Sequence, residues 1–171
     1  RTDKLSNEAG FKYFFMGSVA SAILLFGIAL VYGATGSFDL VKIHEAVSGS
    51  LSHGVLFTMG STLMLIGFLF KVSAAPFHMW TPDVYQGAPT PITAYMSTIV
   101  KGAAVAGMFR LFLNIGATSN EHFVTALVVI IAITLIAANV IAAVQSNAKR
   151  LLAYSSVSHA GFMLGFFVHV K

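Results

Sequence analysis

Five stretches of about 20 mostly apolar residues follow one another along the chain, and they constrain its fold more than any other feature. They run over Gly10–Tyr32, from Gly54 past Lys71 to about Trp80, from Pro91 to Leu113, over Phe123–Gln145, and from Ala148 to the end. An α-helix rises about 1.5 Å per residue, so each stretch is long enough to cross a bilayer core of about 30 Å. Backbone groups in lipid must satisfy one another, which makes such runs helices. The expected fold class is all-α: a polytopic transmembrane helix bundle of about five spans, forming a single membrane domain over 1–171. Composition agrees, since 57% of residues are hydrophobic and only 9% charged. Soluble domains carry about 25% charged residues, so this chain could not cover a water-facing surface.

Several function classes are unsupported. With no cysteine, the chain cannot hold a thiolate-ligated iron–sulfur cluster, a disulfide or a cysteine nucleophile. There is no G-x-G-x-x-G, Walker A or H-E-x-x-H pattern, and His44, His53 and His122 lie in connections or at helix ends without metal-ligand spacing. The expectation is therefore no metal and no cofactor in this chain. The net charge of +4 is scattered, with no basic stripe for nucleic acid. The first residues, RTDKLSNEAG, have neither a methionine nor a signal-peptide n-region and read like the middle of a longer protein. In the connection Gly33–His53, the residues Phe38, Leu40, Val41 and Ile43 predict a short amphipathic segment at the interface. Arg1 and Lys4 precede the first span, and Lys149-Arg150 separate the last two. The positive-inside bias puts both on the cytoplasmic side and the C-terminus opposite.

Polar residues within these runs need a reason. Lys71 ends an apolar run and shares a helical side with Gly60, Met64 and Gly67. Glycines admit a close neighbour, so that side is expected to pack against protein. Lys71 is then either a proton carrier or a lysine that snorkels from a helix end. Lys101 falls near the middle of its helix, where snorkelling is difficult. With Ser97 and Thr98 it predicts a polar stripe that water could follow; the alternative is a lysine neutralised by a carboxylate elsewhere. Pro76 removes a backbone hydrogen bond and breaks the second helix, as is tolerated beside cavities or inside protein. His78, just after the break, is read as a relay or as a ring bonded to loop backbone. Asp83 is expected to brace the turn. Lys12 follows Glu8 by four residues, an ordinary helical ion pair. His159 is a relay or a bundle hydrogen bond, and Asn139 joins two helices.

The stretch K-V-S-A-A-P-F-H-M-W-T-P-D-V-Y-Q-G-A-P-T-P (Lys71–Pro91), then S-T-I-V-K (Ser97–Lys101), carries a family resemblance. So do N-A-K-R-L-L-A-Y-S-S-V-S-H-A-G-F (Asn147–Phe162) and E-A-G-F-K-Y-F (Glu8–Phe14). The chain resembles, over essentially its whole length, the antiporter-like membrane subunits of NADH–quinone oxidoreductase, respiratory complex I. W-T-P-D-V-Y-Q-G-A-P points to the subunit N branch, whereas P-F-H-x-W and K-R-L-L-A-Y-S-S are shared with Mrp antiporter subunits. The resemblance implies proton translocation, with Lys71, Lys101 and Lys12 as its lysines and Pro76 at the broken helix. It also implies a bacterial inner-membrane location beside other membrane-arm subunits. Flavin mononucleotide, iron–sulfur clusters and quinone are expected in partner subunits, so this subunit would be a non-redox part of the enzyme. Members of the family pair the broken-helix lysine with a glutamate on an earlier helix and carry a second repeat later; neither is in this sequence. The rival functions are an Mrp-type sodium/proton antiporter subunit and a helical scaffold with neutralised lysines.

Overall fold

The computed structural model describes residues 3–51, 54–116 and 121–169; Arg1, His53 and the side chain of His122 lie outside this description. Every regular element in it is a helix. In chain order they are α1 (Lys4–Thr35), α2 (Leu40–Ala46), α3 (Val55–Val72), α4 (Trp80–Gly87), α5 (Thr90–Asn114), α6 (Glu121–Ala143) and α7 (Ala148–His169). Among the described residues five helices, α1, α3, α5, α6 and α7, are long and apolar enough to cross a membrane.

Local sequence explains where these helices begin and end. Asp3 caps α1 by accepting the Leu5 amide, and Gly36 closes it in the left-handed conformation that glycine adopts freely. Asp39 likewise caps α2 through Val41. α2 is a short helix in the connection where the sequence predicts an amphipathic segment. Ile43 is buried, Val41 is exposed, and Phe38 stacks on Tyr32 at 4.4 Å between ring centroids.

α3 is the centre of the bundle. Its Phe57, Met64, Leu65, Leu69 and Val72 join Met108 and Phe112 of α5, Phe123 and Leu127 of α6, and Leu164 and Phe167 of α7 in one core. α1 lies along α3 at backbone distance. A Cβ placed on Gly27 would meet the Met64 amide nitrogen at 2.7 Å, and one on Gly60 would meet the Gly27 carbonyl at 2.9 Å. Here helices pack through small residues, as membrane helices do where burial against lipid offers no gain.

The break differs from its expected form. α3 stops at Val72, ahead of Pro76, and the chain runs irregularly over 73–79 before α4 begins at Trp80. Ser73 makes the stop, with φ 64, and its amide returns to the Phe70 carbonyl at 3.1 Å. The second half of the broken helix therefore reaches Gly87 instead of ending near Trp80. The other boundaries lie close to the apolar stretches, with α1 extended at both ends by residues its caps recruit.

Candidate functional site

The break is fastened to α6. The Ala75 amide, which no helical carbonyl accepts, donates to Thr134 Oγ1 at 3.0 Å, while Thr134 donates to Ile130 O at 2.6 Å. Trp80 Nε1 donates to Phe70 O at 3.3 Å, tying the start of α4 to the end of α3. Replacing Thr134 with valine keeps the volume and removes the acceptor of a buried amide, at a cost of about 1–3 kcal/mol. The T134V protein in detergent should unfold at a lower temperature, and T134S should recover most of the difference. Equal midpoints for the three proteins would show that Thr134 does not hold the break.

Lys71 sits at the end of α3 and is exposed. It lines a groove of about 1040 Å³ whose walls include Gly17, Ser18 and Ser21 of α1 and Ile99 and Ala103 of α5. Among the described residues it has no ion-pair partner. The expected packing side is thus half right. Gly60, Met64 and Gly67 are buried against α1, with a Cβ on Gly67 meeting Leu24 at 2.7 Å. One turn on, Gly17, Ser18, Ala20 and Ser21 of α1 leave space between the larger Tyr13, Phe14 and Leu24, and the lysine opens into the groove.

Lys101 lies elsewhere. Only 1% of it is exposed, and its Nζ donates to the Ser156 carbonyl of α7 at 3.0 Å. The same Nζ stands 5.9 Å from the centroid of the Tyr85 ring of α4, near the limit of a cation–π contact. Tyr85 is also buried, and its hydroxyl approaches Ser156 without closing a well-formed hydrogen bond. Among the described residues no carboxylate pairs with Lys101. Residues Met96–Val100, just before Lys101, form one wider π-helical turn. That turn changes the phase of the helix, so the expected polar stripe does not form. Ser97 and Thr98 each donate to the Ala94 carbonyl, at 3.0 and 2.8 Å, and Thr98 is exposed while Lys101 points inward.

Charges gather at one end of the bundle. Lys12 Nζ lies 2.6 Å from Glu8 and 2.7 Å from Asp83, and Arg150 Nη1 lies 2.7 Å from the other Asp83 oxygen. The expected Glu8–Lys12 pair is present, while Asp83, expected to brace its own turn, instead ties α4 to α1 and α7. The hydrogen bond from Lys12 holds the Asp83 carboxyl below the ordinary carboxylate range, with Arg150 adding to the effect against partial burial. Lys4, Lys12, Lys149 and Arg150 share this end, as the basic-residue bias requires.

The histidines are not drawn into one path. His78 is half-buried in the break, with its ring 6.3 Å from that of Tyr154 and Nδ1 buried without a hydrogen-bond partner. A ring bonded through Nδ1 to loop backbone is thus not what forms. His159 is exposed on the outer side of α7, away from Lys101, because the neighbouring Ser158 takes the inward position. Asn139 Nδ2 donates to that Ser158 hydroxyl at 3.1 Å, as a bond between helices. Sequence reasoning missed Tyr85, Thr134, Lys149 and Arg150 as parts of the site. Only the helical offset between Asp83 and Tyr85 hinted that α4 has two working faces. Among the described residues no group of three His, Cys, Asp or Glu could hold a metal.

The family model described as NADH:quinone oxidoreductase/Mrp antiporter, TM, matches residues 1–169. NADH-quinone oxidoreductase subunit N of Salinibacter ruber is 48% identical over 164 residues, covering 96% of this chain and 32% of its own. That of Myxococcus xanthus is 49% identical over 161 residues, covering 92% of this chain and 31% of its own. Among solved structures, respiratory complex I from Thermus thermophilus with bound aureothin matches with TM-score 0.76 and 44% identity, over 92% of this chain and 33% of the matched one. The Mrp complex from Dietzia sp. DQ12-45-1b matches with TM-score 0.90 over 100% of this chain and 31% of its own, at 24% identity. The chain spans about a third of the length of the curated relatives it matches.

Proposed function

Since this chain belongs to the NADH:quinone oxidoreductase/Mrp antiporter transmembrane family, we propose that it acts as part of subunit N of a bacterial NADH–quinone oxidoreductase, moving protons across the inner membrane. NADH oxidation and quinone reduction take place in partner subunits with flavin and iron–sulfur clusters; this chain is a non-redox part of the enzyme. The observation that carries the reading is Lys101, a buried amine with one carbonyl and one ring face as neighbours. Intramembrane lysines are expensive and mark ion pathways. An amine with so few fixed partners exchanges its proton more readily than one locked in an ion pair.

Lys71 is the entry group, because it opens into the groove from which a proton or a carboxylate-bearing neighbour can reach it. Val100, Ala103 and Ala104 of α5 line that groove, whereas Lys101 faces α7 from the same helix. Transfer between the two lysines therefore passes through or around α5 and needs water or a small helix rotation. Lys12 holds the charge cluster at the cytoplasmic end, and His78 serves as a relay at the break. Moving one charge against 100 mV costs about 2.3 kcal/mol, which the redox reaction must supply for every proton.

Replacing Lys71 by methionine in the assembled oxidoreductase tests the reading. Vesicles containing K71M should form a several-fold smaller pH gradient on NADH addition, with the complex present at its usual level. An undiminished gradient would remove Lys71 from the path. The identities of 48% and 49% with subunit N favour this reading over an Mrp-type antiporter, for which the 24% likeness supports only the shared fold.

A further inference from the structure

α4 is an eight-residue helix between an irregular segment and Ala88-Pro89. Isolated helices shorter than about 12 residues are marginal, so its position is set by what grips it. The start of α7 supplies the grip. Lys149 Nζ donates to the carbonyls of Ala88 at 3.0 Å and Gln86 at 3.5 Å, at the carbonyl-rich end of α4. Arg150 Nη1 donates to Asp83 Oδ1 at 2.7 Å and to Gln86 Oε1 at 3.1 Å, on one side of the helix. Gln145 Oε1 accepts from Arg150 Nε at 3.3 Å. The Asn147 carboxamide oxygen accepts the Lys149 and Arg150 amides at 2.9 and 3.3 Å, fixing the backbone that presents both cations.

The other side of α4 carries Tyr85, two residues from Asp83 and about 200° around the helix. Its ring faces Lys101. Ser156, whose carbonyl accepts from Lys101, lies on α7 less than two turns beyond Arg150. One helix thus holds α4 with its first turn and Lys101 further along, with Tyr85 between. We propose that Lys149 and Arg150 form a clasp on α4, and that Asp83 is a positioning residue holding Tyr85 against Lys101 during proton transfer. This rests on Lys101 being a proton carrier.

The physical scale separates positioning from simple stability. The Asp83 and Arg150 side chains are 34% and 31% exposed, and exposed ion pairs contribute little to folding. A displacement of about 1 Å at a transfer site, in contrast, can cost a rate factor of about 100. Loss of the clasp should leave the assembled complex and slow the pump.

The test uses Asp83→Asn, Arg150→Gln and Asp83→Glu in the assembled oxidoreductase, with Lys101→Met alongside. Arg150→Gln leaves the Lys12–Asp83 pair in place, so it isolates the clasp. The expected result is normal complex content with an initial pumping rate about fivefold lower or worse in D83N and R150Q, most of it restored in D83E. If K101M pumps normally, the carrier reading falls and this inference with it. If K101M is inactive while D83N and R150Q pump at the unsubstituted rate, the clasp alone is wrong. A failure of D83E to restore the rate would likewise exclude a positioning role. Should D83N not assemble, Lys149→Gln removes only the contacts to the Gln86 and Ala88 carbonyls. Its rate should fall about twofold, in keeping with the smaller displacement, and an unchanged rate would overturn the clasp.

Discussion

Lys101→Met should abolish NADH-driven proton pumping, by tenfold or more, while leaving the complex assembled. Methionine matches the length of the lysine stem and fills the same space beside Tyr85 and Ser156. A buried charge without a carboxylate partner costs free energy in the fold, so an apolar residue of similar volume there does not destabilise it. Folding is therefore not what the substitution removes; it removes the amine on which the carrier reading rests. Lys101→Arg sharpens the test. Arginine keeps a cation for Ser156 and Tyr85 yet does not deprotonate in proteins, so a carrier fails with arginine and a scaffold charge is rescued by it. Restored pumping in K101R, or intact pumping in K101M, would end the carrier reading. The readout is the initial rate of a pH-sensitive dye in inverted vesicles, normalised to complex content.

Gly60→Leu should prevent the assembled subunit from accumulating. A Cβ at this position would stand 2.9 Å from Gly27 O and 2.9 Å from Val31 N, and backbone atoms of a packed helix cannot turn aside as a side chain can. α1 and α3 would have to separate, giving up the contacts around Met64 and Val31 that join α1 to the core. The cost lies at or above the upper end of overpacking, about 3 kcal/mol or more. A native gel of solubilised membranes should show little or no complex for G60L. Gly10→Ala, where an added Cβ meets nothing within 4 Å, should give the unsubstituted amount. Comparable bands for both would mean that the α1–α3 contact is more yielding than its geometry implies.

Much of the site was legible because lipid makes polar residues conspicuous. Lys71, Lys101 and His78 stood out in runs where other side chains are apolar, and Pro76 marked a break in one of them. The i, i+4 pair of Glu8 and Lys12 was likewise open to local reasoning, whereas the partners of Asp83, on α1 and α7, were not. The failures share a cause. Ser97 and Thr98 were assigned to the Lys101 side by an ideal helical wheel, and the π-turn that contains them, just before the lysine, changed the phase. The break in the second helix was placed at Pro76, but a left-handed Ser73 stops α3 first, with Thr134 accepting the amide this leaves over. Neither partner is near the other in sequence.

The sequence by itself determined that this chain is a bundle of five membrane helices with a break in the second. Apolar length and backbone hydrogen bonding leave no other fold in a bilayer. It also singled out the two lysines, since charge inside hydrocarbon is rare. Which of them is buried was decided only by the tertiary structure. Lys71 opens into a groove between α1 and α5, whereas Lys101 is enclosed because α4 and α7 converge on it. Lys149 and Arg150 reach α4 from more than 60 residues away along the chain, a distance over which periodicity carries no information.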